Sequence, residues 1–552
     1  MNWQKWFTKF PQWIAYFSPE IYIDGSLWST AGGLAIIGHS HLRASKRLNL
    51  PVFGVTIRWR QGFYSQRFGT NGMYPEYPED TKKDSLVDTG IKVRVQIKEN
   101  PNVFLAIKIV PPNAYGTAPV VCLDADIEEN DFISRQNTKG LYPNDENEKI
   151  ARMIILGIGG IKALKALNIS VRKYHLNEPY PFLVSSELIS RKMAGGSTFE
   201  QAVAWTKERV VFTTHTPVII NETLNLERMI GLGCFPKLSK EKCLTREQLA
   251  HLGRNGKDGF SPIAFCLRTA GIANAVSDLH AQTSNQMLDW VDGRCQIIRI
   301  TNGVDVPFWQ LKDFAEAKTP EALKKAKLKH KDIFLGEVEE QYAKKNILKA
   351  FSANKLTGGW NRRYDGYKRP DLIYSENNWF AANYLDTGKI QMIQAGKPHL
   401  SDEEMKKIVN WLWEQSKHLP NLAIPEENGY AFKIRMKAGV DFWLLTSRRP
   451  WEASEDCFMS AMLNGAIPVS TYDGAALEAK NCFLFGSEKV CLPQEQNAQD
   501  FDGFKKILPE ITRLYYEKPD KWNKMALAAK EESESRFSAV RMVKECASKL
   551  YQ

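Results

Sequence analysis

The sequence is poor in cysteine and lacks a long apolar run. Its nine cysteines are spread over 552 residues without a CxxC pair or a Cys/His spacing of the kind that binds zinc. We therefore predict a reduced, cytoplasmic protein that holds no metal ion. No segment approaches about 18 consecutive apolar residues, so no transmembrane helix is expected. The amino-terminal segment breaks at Pro11 and lacks the apolar region of a signal peptide.

Length and charge set the next bounds. A chain of this length is too long for one hydrophobic core, so we expect two or three domains. A net charge of +11 permits an anionic partner, such as phosphate, nucleic acid or a lipid surface. The chain shows no recognised DNA-reading or RNA-binding motif. One lysine run in a helical pattern is interpreted as a solvated helix face, with a polyanion contact as the alternative; it comprises Lys324, Lys325, Lys327, Lys329 and Lys331.

Hydrophobic patterning alternates strands with helices in both halves of the chain. Residues 50–59 and 210–218 have the pattern of strands, and residues 148–167 have that of a long buried helix. A second strand–helix series follows the turn at Asn302-Gly303. This alternation predicts an α/β protein with mainly parallel sheets. Residues 532–552 are expected to form a terminal amphipathic helix.

Several predicted strand–helix junctions are polar or rich in glycine. Ligands of open parallel sheets bind beyond the carboxyl ends of the strands, so these junctions are the candidate sites. Gly32-Gly33 precedes a helix, where backbone N–H groups suit an anion, and a tight structural turn is the alternative. A cationic loop after another strand is a candidate phosphate clamp, with a solvated basic loop as the alternative; it holds Arg362, Arg363, Lys368 and Arg369.

Two histidines lie at the ends of further strands. His175 is followed by Asn177 and Glu178, and His215 lies in the segment TTHTP. A lone histidine is usually structural, but these two loops together with residues 448–454 favour one polar site. The sequence offers no Ser-His-Asp order, no P-loop and no carboxylate pair whose spacing would indicate a glycosidase.

A series of motifs runs in a fixed order from about residue 14 to residue 474. After Gly32-Gly33 come GVTIRWRQGFY, ILGIGGIKAL, YHLNEPY, VFTTHTPV, ITNGVDVPFW, NRRYDGYKR, QAGKPHL, GVDFWLLTSRRPWEAS and AMLNG. In this order the chain resembles the α-glucan (glycogen, starch and maltodextrin) phosphorylases, especially their short bacterial and archaeal branch. The motifs are specific as a set, and no single one would be.

The resemblance implies a GT-B fold, in which two Rossmann-like domains face each other across a deep cleft. It also implies a retaining glucosyl transfer within that cleft. We place the amino-terminal domain at residues 1–312 and the carboxy-terminal domain at residues 313–530. Residues 531–552 are expected to form a helix that packs back on the first domain.

Site residues follow from the resemblance position by position. Gly32 and Gly33 would give backbone N–H groups to a phosphate, and Arg363 and Lys368 would hold the phosphate at the anomeric carbon. The sugar would be contacted by four consecutive residues and by His215, whose main-chain carbonyl would lie near the anomeric centre. The four are Glu452, Ala453, Ser454 and Glu455, and the candidate catalytic residues are His215, Arg363, Lys368 and Glu452.

The chain departs from the family at the cofactor position. In the phosphorylases a lysine forms a Schiff base with pyridoxal phosphate, and alignment of M-x-A-x-LNG places that lysine at Ser460. A serine hydroxyl cannot form this imine. Nearby, the small residues of SGTSG are replaced over residues 454–458, where Glu455 and Asp456 add two carboxylates and Phe458 a ring. We therefore expect no cofactor.

These departures lead to one hypothesis and two alternatives. The hypothesis is a retaining, pyridoxal-independent transfer of a hexosyl unit, with glucosyl as the first expectation, from a nucleotide sugar to a glycan or other hydroxyl acceptor. The cofactor phosphate of the family lies beside the substrate phosphate, much as two phosphates adjoin in a nucleotide sugar. The alternatives are an α-glucan phosphorylase that releases glucose 1-phosphate and a non-catalytic glucan-binding protein. A nucleic-acid acceptor and a homodimer are left open.

Overall fold

The computed structural model describes residues 3–24, 32–77, 86–143, 145–215, 217, 222–235, 246–255 and 259–552. The strands in these ranges are β1 (Trp13–Phe17), β2 (Val52–Ile57), β3 (Ser65–Gly69), β4 (Gly72–Glu76), β5 (Val87–Ile97), β6 (Asn100–Val110), β7 (Val120–Asp124), β8 (Val171–Asn177), β9 (Val210–Thr213), β10 (Leu224–Asn225), β11 (Arg254–Asn255), β12 (Gly259–Phe260), β13 (Ile272–Ala275), β14 (Ile297–Arg299), β15 (Leu356–Asn361), β16 (Ile390–Ala395), β17 (Leu422–Ala423), β18 (Phe442–Leu445), β19 (Ile467–Thr471) and β20 (Phe483–Phe485).

The α-helices in the same ranges are α1 (Gly33–Arg47), α2 (Phe132–Gln136), α3 (Glu146–Ile154), α4 (Gly160–Ala166), α5 (Leu183–Ala194), α6 (Phe199–Lys207), α7 (Leu226–Leu232), α8 (Arg246–Gly253), α9 (Pro262–Thr269), α10 (Asp278–Met287), α11 (Val306–Trp309), α12 (Lys312–Glu316), α13 (Pro320–Ala343), α14 (Ser375–Phe380), α15 (Glu403–His418), α16 (Tyr430–Gly439), α17 (Asp456–Met462), α18 (Pro493–Glu517), α19 (Pro519–Ser535) and α20 (Ala539–Lys549). Short π-helical segments occupy Ile155–Gly159 and Ala381–Leu385.

Two large sheets organise the described chain. The first has the order β14-β13-β9-β8-β1-β2-β7-β6-β5, and its neighbours from β14 through β7 pair in parallel. The hairpin of β5 and β6 adds an antiparallel edge. The second has the order β17-β16-β15-β18-β19-β20 and is parallel throughout. The predicted α/β class with mainly parallel sheets is confirmed, whereas the antiparallel edge was not foreseen.

The central strands are buried along their whole length. Every residue of β1 and of β2 is buried, as expected for parallel strands covered on both faces. The predicted helix at 148–167 is also present, as α3, the π-helical segment Ile155–Gly159 and α4 in succession. Gly160 lets this helix approach β1, because a Cβ there would come within 2.5 Å of Phe17 Cε1.

The carboxy-terminal segment returns to the first sheet. The expected single helix at 531–552 is divided, since α19 ends at Ser535 and Ser538 caps a new helix, α20, by accepting a hydrogen bond from Arg541 N at 3.3 Å. Met542 and Val543 of α20 are buried in a cluster with residues of β1 and α1. The domain boundaries at 312/313 and 530/531 stay predictions.

A neutral polar network lies beside the first sheet and includes a residue from this returning segment. His41, His175 and Tyr551 are each 2% exposed, and Tyr551 Oη lies 2.9 Å from His41 Nε2 and 2.7 Å from His175 Nδ1. His175 Nε2 lies 2.6 Å from Thr213 Oγ1, which donates to Asn274 Oδ1 at 2.6 Å. Since the Thr213 hydroxyl donates its proton to Asn274, Thr213 Oγ1 accepts from His175, and the ring proton of His175 is on Nε2. His175 Nδ1 therefore accepts from Tyr551 Oη. Each histidine is then neutral, and burial lowers the pKa of His41 to about 3.

The lysine run on α13 has two environments. Lys324, Lys325 and Lys329 are exposed, as the solvated-face interpretation predicts. That interpretation is wrong for Lys327 and Lys331, which are buried. Lys327 Nζ donates to Val440 O at 2.6 Å, and Lys331 Nζ lies 2.5 Å from Asp441 Oδ2. The two lysines are one helical turn apart, so they share the inward face of α13.

Two features are absent from the described ranges. None of the helices there is both long and apolar enough to cross a membrane. No group of three or more His, Cys, Asp or Glu residues in them is arranged to hold a metal ion.

Candidate active site

Charged side chains gather at the carboxyl ends of the second sheet. Arg362 follows β15 directly, Ser447 lies two residues beyond β18, and Lys368 ends the short helix Gly366–Lys368. Glu452 and Glu455 come from the loop between β18 and α17. Residues at the carboxyl ends of parallel strands converge on one edge of the sheet, which is where ligands of such sheets bind. We call these five residues the ionic cluster.

Arg362 is the centre of the ionic cluster. Its guanidinium forms ion pairs with the Glu452 and Glu455 carboxylates and donates to Ser447 Oγ at 2.5 Å. Lys368 Nζ donates to the same Glu452 oxygen at 2.9 Å. The side chains of all four charged residues are at most 12% exposed. Two cations and two carboxylates therefore balance each other out of contact with bulk water.

The carboxyl groups of this region differ in acidity. Burial alone would raise the pKa of Glu452, but the positive charges of Arg362 and Lys368 have the larger combined effect. The pKa of Glu452 is therefore lowered to about 2. For Glu455, burial dominates the opposing effect of Arg362, so its pKa is raised. Burial also raises the pKa of neighbouring Asp456 to about 6. Asp456 can therefore exchange a proton near neutral pH, whereas Glu452 stays ionised.

The two predicted phosphate ligands of the second half differ in their surroundings. Lys368 belongs to the ionic cluster, whereas the side chain of Arg363 is 48% exposed and pairs with Asp365 at 2.8 Å. Arg369 of the same loop is structural, since its guanidinium is buried on Asp500 at 2.6 Å and on Thr446 O at 2.8 Å. Arg363 thus offers the accessible guanidinium of this loop. Its predicted role stays a prediction.

The glycine pair of the first half lies beside a carboxylate. Gly32 N donates to Glu20 Oε2 at 3.1 Å, and Tyr142 Oη donates to the other oxygen of Glu20. The N–H group predicted to meet a phosphate is thus bonded to an anion of the chain itself. A Cβ added at Gly32 or Gly33 would meet no described heavy atom within 4 Å, so packing does not explain either glycine.

His215 joins the two polar loops predicted after β8 and β9. Its backbone N–H donates to Glu178 Oε1 at 2.8 Å, and its Nε2 donates to Asn177 Oδ1 at 2.6 Å. Burial lowers the pKa of His215 to about 3, so the ring is neutral at physiological pH. The structure therefore fixes the ring and main chain of His215 by two separate contacts.

Sequence reasoning missed His280, which lies in the first turn of α10. It is 1% exposed, its Nδ1 accepts from Val276 N at 3.2 Å, and its Nε2 has no hydrogen-bond partner among the described residues. Burial lowers the pKa of His280 to about 3, so this ring is also neutral at physiological pH. His280 follows strand β13 by a few residues, so a search for histidines at strand ends would have found it.

Direct contacts join the polar ends of the two sheets. Ser277 Oγ donates to Ala453 O at 2.6 Å, and Tyr430 Oη donates to Gly32 O at 3.4 Å. Ser454, a predicted sugar ligand, donates its hydroxyl to Asp456 Oδ1 at 2.7 Å. The structure therefore brings the predicted residues of both halves into one region.

Ser460 lies on α17 and faces a lysine of the neighbouring helix α16. Lys437 Nζ donates to Ser460 Oγ at 2.6 Å, and its ammonium group lies 3.5 Å from the centroid of a Trp309 ring. The Ser460 hydroxyl in turn donates to Cys457 O at 3.0 Å. Ser460, Lys437 and Trp309 are 1%, 3% and 3% exposed, so little open space is left around the hydroxyl.

Comparison with known proteins identifies relatives that match nearly the whole chain. An uncharacterized protein of Methanocaldococcus jannaschii, MJ1631, is 33% identical over 550 residues, which cover 98% of this chain and 99% of the relative. A maltodextrin phosphorylase of Thermococcus litoralis is 29% identical over 99% of this chain and 72% of its own length. A glycogen phosphorylase of Aquifex aeolicus is 27% identical over 98% and 86%. The chain belongs to the α-glucan phosphorylase family. No family model matches it.

Within the α-glucan phosphorylase family, pyridoxal phosphate would be attached at the position of Ser460. The residues of this member do not fit that attachment. Serine offers no amine, Lys437 and Trp309 fill the space at its hydroxyl, and Arg362 is already paired with two carboxylates. A phosphate group would therefore compete with Glu452 and Glu455 for the cation.

Proposed function

We propose that the protein is a retaining glycosyltransferase that takes a hexosyl unit, glucosyl as the first expectation, from a nucleotide sugar without pyridoxal phosphate. Relatives named as phosphorylases support a glycosyltransferase. The observation that carries the finer proposal is Ser460, a serine in the lysine position whose hydroxyl is bonded to Lys437. In this proposal the nucleotide-sugar donor provides two phosphate groups, one in place of the substrate phosphate and one in place of the cofactor phosphate.

The reaction would take place between the two sheets in a GT-B arrangement. The contacts from Ser277 to Ala453 and from Tyr430 to Gly32 support it, because they join the carboxyl ends of both sheets. Gly32 and Gly33 would then approach the donor phosphates from the first half. Arg363 and Lys368 would approach them from the second half.

The proposed chemistry is a front-face displacement. The bond between the anomeric carbon and the phosphate oxygen breaks, and the departing nucleoside diphosphate takes the electron pair. An acceptor hydroxyl attacks the same face of the sugar and passes its proton to the departing phosphate. Arg363 and Lys368 would stabilise the charge that grows on this phosphate.

The remaining residues would position the sugar. Glu452 stays ionised because of its low pKa and can accept hydrogen bonds from sugar hydroxyls. His215 is held by Asn177 and Glu178, which keeps its main-chain carbonyl fixed beside the proposed anomeric centre. Donor binding would replace Asp365 on Arg363 and Glu20 on Gly32 by phosphate oxygens.

A donor panel tests the proposal. Thermal-shift assays with UDP-, ADP-, GDP- and dTDP-glucose, pyridoxal phosphate and inorganic phosphate are followed by assays for nucleoside diphosphate released with maltodextrin as acceptor. We expect stabilisation by one nucleotide sugar and turnover of that donor. If no nucleotide sugar binds and glucose 1-phosphate is released from maltodextrin and phosphate, the proposal fails.

Arg363→Met sharpens this test. The variant is expected to lower kcat/KM for the donor by about 10²–10³-fold, the usual loss of one charge-stabilising donor. Its melting temperature should not change, since the side chain is 48% exposed. Arg94→Met, at an exposed arginine of β5, is the matched control and should leave turnover unchanged.

The printed names of two relatives favour a second candidate function, phosphorolysis of an α-glucan. That activity would appear in the same panel as glucose 1-phosphate formed from maltodextrin and phosphate. A non-catalytic glucan-binding protein would instead bind maltodextrin equally well with Arg363 or with methionine at that position.

A further inference from the structure

We propose that Lys437 and Glu455 exclude pyridoxal phosphate from this protein by filling both ends of the space that the cofactor would need. The inference rests on the proposed function, because it explains how a member of the family works without the cofactor. The absence of a lysine at position 460 would then be only one of three features that close the site.

Lys437 closes the end at position 460. Its ammonium group is bonded to Ser460 Oγ at 2.6 Å and covers Trp309 at 3.5 Å, and its side chain is almost wholly buried. A lysine placed at 460 would bring a second amine against the first. Burial lowers the pKa of Lys437 to about 7, and two buried amines at this separation cannot both be charged, so restoring the lysine alone would not restore the site.

Glu455 closes the end at Arg362. Its carboxylate pairs with the Arg362 guanidinium and accepts from Ser447 Oγ at 2.5 Å, with 0% of the side chain exposed. The residue has φ +68°, a left-handed conformation that side chains other than glycine rarely adopt. The aligned family residue is glycine, so glutamate here carries backbone strain together with its contact to Arg362.

The two closures lie around one residue, Cys457. Ser460 Oγ, which Lys437 contacts, donates to Cys457 O at 3.0 Å, and Glu455 is the residue directly before α17. Cys457 follows Glu455 by two residues and precedes Ser460 by three. Lys437 and Glu455 therefore flank the first turn of α17, one with an amine and the other with a carboxyl group.

Imine trapping tests the inference. Intact protein is incubated with pyridoxal phosphate, treated with sodium borohydride, digested and examined by mass spectrometry. A lysine amine that condenses with the aldehyde loses water to form an imine, and borohydride reduces that imine to a stable amine. We expect little labelling at residue 437 in the wild type and little at residue 460 in Ser460→Lys. The triple variant S460K/K437M/E455G should be labelled at residue 460 at least about tenfold more than S460K, equivalent to about 1.4 kcal/mol.

Matched variants separate the two closures from general loosening of the fold. S460K/K433M/E455G removes a lysine one helical turn before Lys437 and should gain much less labelling than the triple variant. S460K/K437M/E455Q keeps the side-chain volume and removes only the charge, so it should be labelled less than the glycine variant. Equal labelling of the K433M and K437M series would overturn the role of Lys437.

A second measurement avoids any change at residue 460. Equilibrium dialysis of pyridoxal phosphate against wild type and K437M/E455G should show at least about tenfold tighter binding by the variant. Unchanged binding there would overturn the inference even if the triple variant failed to fold. Trapping of wild type at Lys437 would overturn both this inference and the proposed function. A negative donor panel with a labelled triple variant would overturn the proposed function alone.

Discussion

Both sheets bury polar groups near the carboxyl ends of their strands, but the group beside the first sheet is neutral and the group at the second sheet is charged. Beside the first sheet, His41, His175 and Tyr551 form a neutral network in which each proton has one consistent acceptor. At the end of the second sheet, Arg362 pairs with the carboxyl groups of Glu452 and Glu455 in the ionic cluster. A neutral network offers no cation to a phosphate, whereas the second sheet offers Lys368 and, outside the ionic cluster, the accessible guanidinium of Arg363. In the proposed function, the second sheet therefore provides the cations that meet the donor phosphates.

Acid is expected to destabilise the first half of the chain at a higher pH than the second half. Burial lowers the pKa of His41 and of His280 to about 3, and that of His175 well below its usual value. As pH falls from 6.5 towards 3, these histidines bind protons in the unfolded chain but stay neutral in the folded one. The free energy of unfolding should then fall by up to about 1.4 kcal/mol per pH unit for each histidine.

Urea denaturation at a series of pH values measures this loss. His280→Asn removes one of the histidines and should reduce the slope by one proton. A free energy of unfolding that stays constant between pH 6.5 and 4 would contradict the neutral assignment of these rings.

Removing the central cation should break the ionic cluster. Arg362→Met leaves Glu452 and Glu455 buried without it, which is expected to lower the free energy of unfolding by about 3–5 kcal/mol. Arg67→Met is the matched control, because it breaks an exposed pair with Glu76 and should cost no more than about 1 kcal/mol. Equal losses in the two variants would show that the cluster is not a buried ionic unit.

A single hydroxyl tests the neutral network. Tyr551→Phe leaves His41 Nε2 and His175 Nδ1 without their shared partner, so the free energy of unfolding should fall by about 1–3 kcal/mol. Chemical denaturation measures the change, and Tyr74→Phe at a half-exposed tyrosine serves as the control. If Y551F and Y74F have the same small effect, the network contributes no stability.

The smallest expected change in stability is at the glycine pair. Gly33→Ala adds a methyl group into open space, so the free energy of unfolding should change by no more than about 0.5 kcal/mol. Donor affinity, measured by calorimetry, should nevertheless weaken, because the methyl group would stand between the backbone and a phosphate. Unchanged donor affinity would favour the plain structural turn.

The sequence allowed much of the sheet core to be predicted and less of the site. Strand β2 follows from a short apolar run between turn residues. Strand β8 instead carries Arg172, Lys173 and His175, and strand β15 carries two glycines. Lys327 and Lys331 were misjudged because lysine is counted as exposed unless a partner is known, and their partners follow more than 100 residues later. The approach of Lys437 to Ser460 depends on how α16 packs on α17, and no spacing along the chain encodes that packing.

The position of Tyr551 has a consequence for synthesis. Its hydroxyl completes a network whose other members lie between residues 41 and 274, on strands and helices that leave the ribosome much earlier. Until residue 551 emerges, His41 and His175 lack their common partner, and the face of β1 and α1 that α20 covers is open. The first sheet should therefore reach its final hydrogen-bonded state only after the second has been translated. A nascent chain stalled before that point would expose this face to chaperones.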